Sequence, residues 1–167
     1  MSGSSHPILI VEDSEDDLYM LQRSLRIAEI ANASRHVEDG QQAIDYLQGV
    51  GPYCDRAAYP LPALILLDLK LPLKNGFEVL AWIRQQPVLK TIVVIILTSS
   101  GENQDVTQAY ELGANAFLVK PTSVDKLTEI VKSLEIFWLR HNKFKVWPPA
   151  RGGAPKTSGE IERKVIG

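Results

Sequence analysis

Ala63-Leu64-Ile65-Leu66-Leu67-Asp68 is an unbroken apolar run closed by a carboxylate. A short run with no polar face suits a strand covered on both sides, as in a parallel sheet. Ligands of open α/β sheets bind beyond the carboxyl ends of the strands, so Asp68 stands where chemistry is expected. Three more apolar runs end in the same way. Ile8-Leu9-Ile10-Val11 leads into Glu12-Asp13, Ile92 to Leu97 into Thr98-Ser99, and Ala116-Phe117-Leu118-Val119 into Lys120-Pro121. Carboxylates, a hydroxyl and an ammonium at the ends of buried strands point to a metal-assisted phosphoryl site.

Outward from this run, five strands are expected at about 8–12, 32–37, 63–67, 92–97 and 116–119, alternating with five helices. Ser14 is a good N-cap for the first helix, with Glu15, Asp16 and Asp17 in its first turn and Leu18, Leu21, Leu25 and Ala28 at helical spacing. The second helix is Gly40 to Gln48, with Ala43, Ile44 and Leu47 inward. The third is Phe77 to Gln86, stopped by Pro87; the fourth is Asn103 to Leu112, closed by Gly113. The fifth runs from Val124 to about Arg140, opened by Thr122 or Ser123, with Leu127, Ile130, Val131, Leu134 and Phe137 inward.

Repeated βα units imply an α/β fold, a doubly wound five-stranded parallel sheet with helices on both faces. Residues 1–6 read as a flexible start, 7–140 as the domain, and 141–167 as a C-terminal extension, either a dimerisation arm or a disordered tail. Gly49 to Pro62 is a long connection holding Pro52, Pro60 and Pro62. There are no internal repeats and no Gly-rich phosphate loop, and the extension is too short for a second folded module.

The 167 residues carry a formal charge of −2, which gives no overall pull toward nucleic acid. Basic residues of the tail are interleaved with Glu160 and Glu162 and read as a solvated extension. Cys54 is alone, so no disulfide framework or zinc spacing exists. His6, His36 and His141 lack metal-ligand spacing and read as surface or satisfied histidines. No apolar run approaches the roughly 18 residues of a membrane span, and the start lacks a secretory leader. A cytoplasmic setting is the expectation.

In a sheet of order 2-1-3-4-5, the first and third strands are neighbours at the topological switch point. Glu12, Asp13 and Asp68 then converge. Their mutual repulsion calls for a divalent cation, and few hard oxygen ligands with several waters suit Mg²⁺. Singly, each signal is weak. Acidic first turns are common, strand-end hydroxyls cap turns, and lysines are mostly surface residues. Their conjunction on successive strands carries the reading. Pro72 and Gly76 sharpen it: one stiffens the loop after Asp68, the other permits a positive φ or a close backbone approach. The Lys120-Pro121 peptide is open to the cis form, which would fix the direction of the ammonium.

On these residues the chain resembles the receiver domains of two-component response regulators over about residues 7–140. The carriers are Val11-Glu12-Asp13, Asp68 with Pro72 and Gly76, Leu97-Thr98-Ser99 and Lys120-Pro121, and the intervals between them also match. The resemblance implies that Asp68 accepts a phosphoryl group from a phosphohistidine on a sensor histidine kinase. It implies that Glu12, Asp13, Asp68 and the backbone carbonyl of Lys70 hold Mg²⁺, Glu12 acting through water. Lys120, Thr98 and Ser99 would serve the phosphoryl oxygens, with Thr98 and Phe117 at the switch positions. Phe117 lacks the hydroxyl of the family's common tyrosine, so its switch would work through packing.

The Gly49–Pro62 insertion and Phe137-Trp138-Leu139 further resemble single-domain regulators paired with bacterial phytochromes. That implies a phytochrome-type kinase and a homodimer, with Trp138, Phe144 and Trp147 as arm candidates. Two alternatives stand beside this. An Mg²⁺-dependent aspartyl-phosphate phosphatase would need a second carboxylate two residues after its nucleophile, where this chain has Lys70. An unphosphorylated binding module would have no use for the full set of site residues. The expectation is a signalling module without turnover of an external substrate.

Overall fold

A computed structural model describes residues 6–143. The elements in order are β1 (Ile8–Val11), α1 (Glu15–Ile27), β2 (Ser34–Val37), α2 (Gly40–Gln48), β3 (Leu64–Leu67), α3 (Gly76–Gln85), β4 (Val93–Thr98), α4 (Asn103–Glu111), β5 (Ala116–Val119) and α5 (Val124–Leu134). The five strands form one sheet, every pairing parallel, in the order β2-β1-β3-β4-β5. The expected fold is the observed one.

The two faces of the sheet follow from strand periodicity, since successive side chains point to opposite sides. Leu9, Val11, Ile65, Leu67, Val94 and Ile96 face α2 and α3, packing on Val79, Leu80 and Ile83. Ile8, Ile10, Leu64, Leu66, Val93, Ile95 and Leu97 face α1 and α5, packing on Leu21, Leu127 and Val131. β1, β3 and β4 are buried on both faces, which is why their sequences show no polar alternation. Side-chain caps open four of the helices: Ser14, Asp39, Asn75 and Ser123 each accept a backbone N–H from the first turn. The fifth helix therefore starts from Ser123 rather than Thr122.

Two local expectations need correction, and one left open is decided. α5 ends its regular winding at Leu134, and a wider π-helical turn spans Glu135–His141. The wider turn rotates the side-chain register. Phe137, expected inward, is 60% exposed, while Trp138 and Leu139 pack against the Ile8 face of the core. Trp138 is thus partly used by its own domain; Phe144 and Trp147 lie outside the described residues. The Lys120-Pro121 peptide is trans, because no cis bond occurs among the described residues.

The Gly49–Pro62 insertion closes onto α2. Its Tyr53 and Tyr59 rings meet the ring of buried Tyr46 at centroid distances of 5.3 and 5.9 Å, and each other at 5.3 Å. Arg56 donates to the carbonyls of Tyr46 and Leu47 at 2.6 Å each and to Tyr59 O at 3.1 Å. Two of these are last-turn carbonyls of α2: Tyr46 O also accepts the C-cap N–H of Gly49 at 3.1 Å, and Arg56 adds a second donor there and one at Leu47 O. Tyr46 Oη completes the closure by donating to Pro60 O at 2.9 Å.

Candidate functional site

The carboxyl ends of β1, β3, β4 and β5 bring Glu12, Asp13, Asp68, Thr98 and Lys120 to one edge of the sheet. Backbone pairing sets their heights: Asp68 N–H donates to Val11 O at 3.1 Å, and Lys120 N–H to Thr98 O at 2.7 Å. Glu12, Asp13 and Asp68 each offer a carboxylate oxygen, and these oxygens lie within 4.8 Å of one another. Glu12 and Asp68 are buried and Asp13 is exposed, so the group has one wet side. Close carboxylates of mixed burial, with room for water, fit a hard divalent cation.

Lys120 lies on the dry side of this group. Its Nζ donates to Glu12 Oε2, to Asp17 Oδ2 at 2.8 Å and to Asp68 Oδ2 at 3.1 Å. Burial alone would disfavour the ammonium, but the bonds to Asp17 and Glu12 and the charge of Asp68 outweigh it, and the Lys120 pKa is raised. Lys120 is therefore a cation at neutral pH. Burial pushes Glu12 up to about 7, against the pull of its bonds from Lys120 and the Ser14 N–H. His36 is a satisfied histidine: its Nε2 meets Glu12 O at 2.7 Å.

Thr98 is fully buried, and its Oγ1 has no hydrogen-bond partner among the described residues. A buried hydroxyl without a partner is uncommon and costs stability, so one at a site implies an absent acceptor. Ser99 is exposed beside it. Phe117 pairs with Ile96 across β4 and β5, which puts its ring on the same sheet face as Thr98. It is half-buried against the Leu9 face of the core, and its N–H donates to Tyr110 Oη at 3.2 Å. Lys70 follows Asp68 closely; its N–H approaches Asp68 Oδ1 at 3.4 Å.

Two glycines fix the loop that carries Asp68. A Cβ on Gly76 would fall 2.2 Å from Asp68 O and 2.7 Å from Leu69 Cα. A Cβ on Gly40 would fall 1.9 Å from Lys74 O. Gly76 thus serves close approach, not a positive φ. Gly76→Ala is expected to cost about 2–3 kcal/mol or more, since only backbone movement relieves the clash. Gly101→Ala, whose Cβ would meet only Val119 Cγ2 at 3.1 Å, is expected to change little. Paired thermal or urea unfolding measures both; equal midpoints would refute the clamp.

Sequence reasoning named Glu12, Asp13, Asp68, Thr98 and Lys120; the three carboxylates and Lys120 do meet, and Thr98 ends the neighbouring strand at the same sheet edge. It missed Asp17, Tyr110 and Gly40. Asp17 was grouped with Glu15 and Asp16 as helix-start charge. It stands four residues before buried Leu21, on the inward stripe of α1, and that spacing distinguished it.

The family model for the response regulator receiver domain matches residues 8–132. The chain belongs to this family. The Response regulator Rcp1 of Synechocystis sp. is 43% identical to this receiver over 142 residues, covering 83% of this chain and 95% of Rcp1. The crystal structure of the phosphorylated cyanobacterial phytochrome response regulator RcpA matches with a TM-score of 0.77 at 36% identity, over 84% of this chain and 98% of that one. The Mn(2+)-bound form of Rcp1 matches with a TM-score of 0.75 at 40% identity, over 84% and 99%. The receiver is thus related to regulators of phytochrome signalling. Among the described residues no helix is long and apolar enough to cross a membrane.

Proposed function

We propose that this receiver accepts a phosphoryl group on Asp68 from a phosphohistidine of a phytochrome-type sensor histidine kinase. The output is a change in protein–protein contacts. The observation that carries the reading is Asp68 itself, a buried carboxylate held 3.1 Å from a lysine ammonium and grouped with Glu12 and Asp13. The phosphorylated state of RcpA and the Mn²⁺ in Rcp1 support it by kinship.

In the transfer, an Asp68 oxygen attacks phosphorus and the bond from phosphorus to the donor imidazole breaks, its electron pair staying on nitrogen. Glu12, Asp13, Asp68 and the Lys70 carbonyl would hold Mg²⁺, which supplies neutralising charge for the transferring oxygens. Lys120 presents its ammonium to the same oxygens, and Ser99 lies at their exposed side. Thr98 gains in a phosphoryl oxygen the acceptor it lacks. Movement of its hydroxyl frees volume into which the Phe117 ring packs, reshaping the surface of α4, β5 and α5. With Lys70 two residues after Asp68, no second carboxylate stands there for ester turnover.

Residues 7–140 constitute the receiver in this reading, and 141–167 an extension whose Phe144 and Trp147, with Trp138 at the end of the domain, join two copies. The setting is cytoplasmic, beside the kinase, and neither nucleic acid nor membrane is a partner. Phosphotransfer from a panel of phosphorylated kinases tests the pairing. Transfer from a phytochrome-type kinase is expected to outrun the others at least tenfold, and equal rates would overturn it. Solution mass with and without a beryllofluoride phosphoryl mimic tests the dimer, and a monomeric mass in both states would remove it.

A further inference from the structure

Asp17 takes no part in the proposed transfer, yet its Oδ2 lies 2.8 Å from Lys120 Nζ. An ammonium has three N–H donors. Glu12, Asp17 and Asp68 engage all of them, so Lys120 has no donor left for a new acceptor. A phosphoryl oxygen arriving on Asp68 must therefore displace a partner. Glu12 is a poor candidate, because its side chain is 5% exposed and would be left as a buried, uncompensated charge. Asp68 carries the new group. The Asp17 side chain is 40% exposed and can return to water at small cost. Its backbone stays fixed, since the Asp17 N–H donates to the N-cap oxygen of Ser14 at 3.3 Å. Only the carboxylate needs to turn.

We propose that Asp17 is a positioning residue that occupies the exchangeable donor of Lys120 until phosphorylation. It thereby biases the receiver toward the unphosphorylated state. The inference rests on Asp68 being the phosphoacceptor. Losing the Asp17 charge acts twice in one direction. It frees a lysine donor, and it removes a negative charge from the neighbourhood of a phosphoryl dianion.

The test uses the full chain, acetyl phosphate as donor and intact mass as readout. Asp17→Asn is expected to label about threefold to fivefold faster than wild type at low salt and to keep its phosphoryl group longer by a similar factor, the size expected for a half-exposed ion pair. The gain should shrink as added salt screens the pair. Asp17→Glu, which keeps the charge, should restore rates close to wild type. Damage to the fold would slow labelling, so a salt-sensitive gain separates positioning from a structural role. Asp17→Ser provides a second variant if the amide folds poorly. Rates that stay unchanged or fall in both Asn and Ser variants, with folding intact by circular dichroism, would overturn the proposal. Asp68→Asn is run in parallel. Label persisting there would remove the acceptor assignment, whereas label lost there with unchanged Asp17→Asn rates would remove only the role of Asp17.

Discussion

Asp68→Asn is expected to take up no phosphoryl label from acetyl phosphate, where the wild-type chain is expected to gain one group. The amide has the shape of the carboxylate but is a poor nucleophile, so labelling is expected to fall by more than about a hundredfold. The fold should persist. Lys120 keeps Glu12 and Asp17 as partners, and the amide oxygen can still accept the third bond. Thermal unfolding within a few degrees of wild type would show that the loss is chemical. Intact mass followed by peptide mapping makes the measurement, and a stable label at any other residue would refute Asp68 as acceptor.

Lys120→Met is the second large effect, and its sign depends on the cation. Without the ammonium, Glu12, Asp17 and Asp68 face one another with no positive partner. Breaking a buried pair costs about 3–5 kcal/mol. The half-exposed position of Asp17 brings the expected loss here to about 2–3 kcal/mol. Protonation relieves the repulsion. Burial already holds Glu12 up to about 7 while Lys120 pulls it down, so without the ammonium its carboxyl should ionise above that value, and the loss should deepen as pH rises beyond about 7. Added Mg²⁺ should recover most of the lost stability and raise the melting temperature more in the variant than in wild type. Phosphoryl labelling should remain slow even with Mg²⁺, because the ammonium proposed to meet the phosphoryl oxygens is gone. Melting curves over pH, with and without Mg²⁺, decide the matter; a variant as stable as wild type and indifferent to Mg²⁺ would contradict the arrangement.

Most of the sheet was legible because β1, β3 and β4 are wholly apolar and each ends in a reactive group. Buried parallel strands tolerate no polar interruption, so their ends mark themselves. Asp68, Thr98 and Lys120 followed from position on successive strands. What escaped was geometry that sequence pattern does not encode. Arg84 donates to Ile92 O, Gly113 O and Asn115 Oδ1 at 2.8–2.9 Å, tying the end of α3 to both ends of the neighbouring βα unit. Two of these acceptors are backbone carbonyls, which are common to every residue, so nothing in the sequence marks them. Phe137 was misplaced because a single helical period was carried through a segment whose winding widens. The Lys120-Pro121 bond was left open since the sequence permits either isomer.

The closure of the insertion by Arg56 has a consequence for protein engineering. Because its guanidinium adds two donors to last-turn carbonyls of α2, the segment and the helix form one cooperative unit. Grafting residues 49–62 into a receiver that lacks them would also require a tyrosine in the place of Tyr46, whose ring and hydroxyl receive the graft. Conversely, trimming the segment to a short turn should fray the end of α2 while leaving the acidic pocket, at the carboxyl edge of the sheet where that helix begins, able to take up metal.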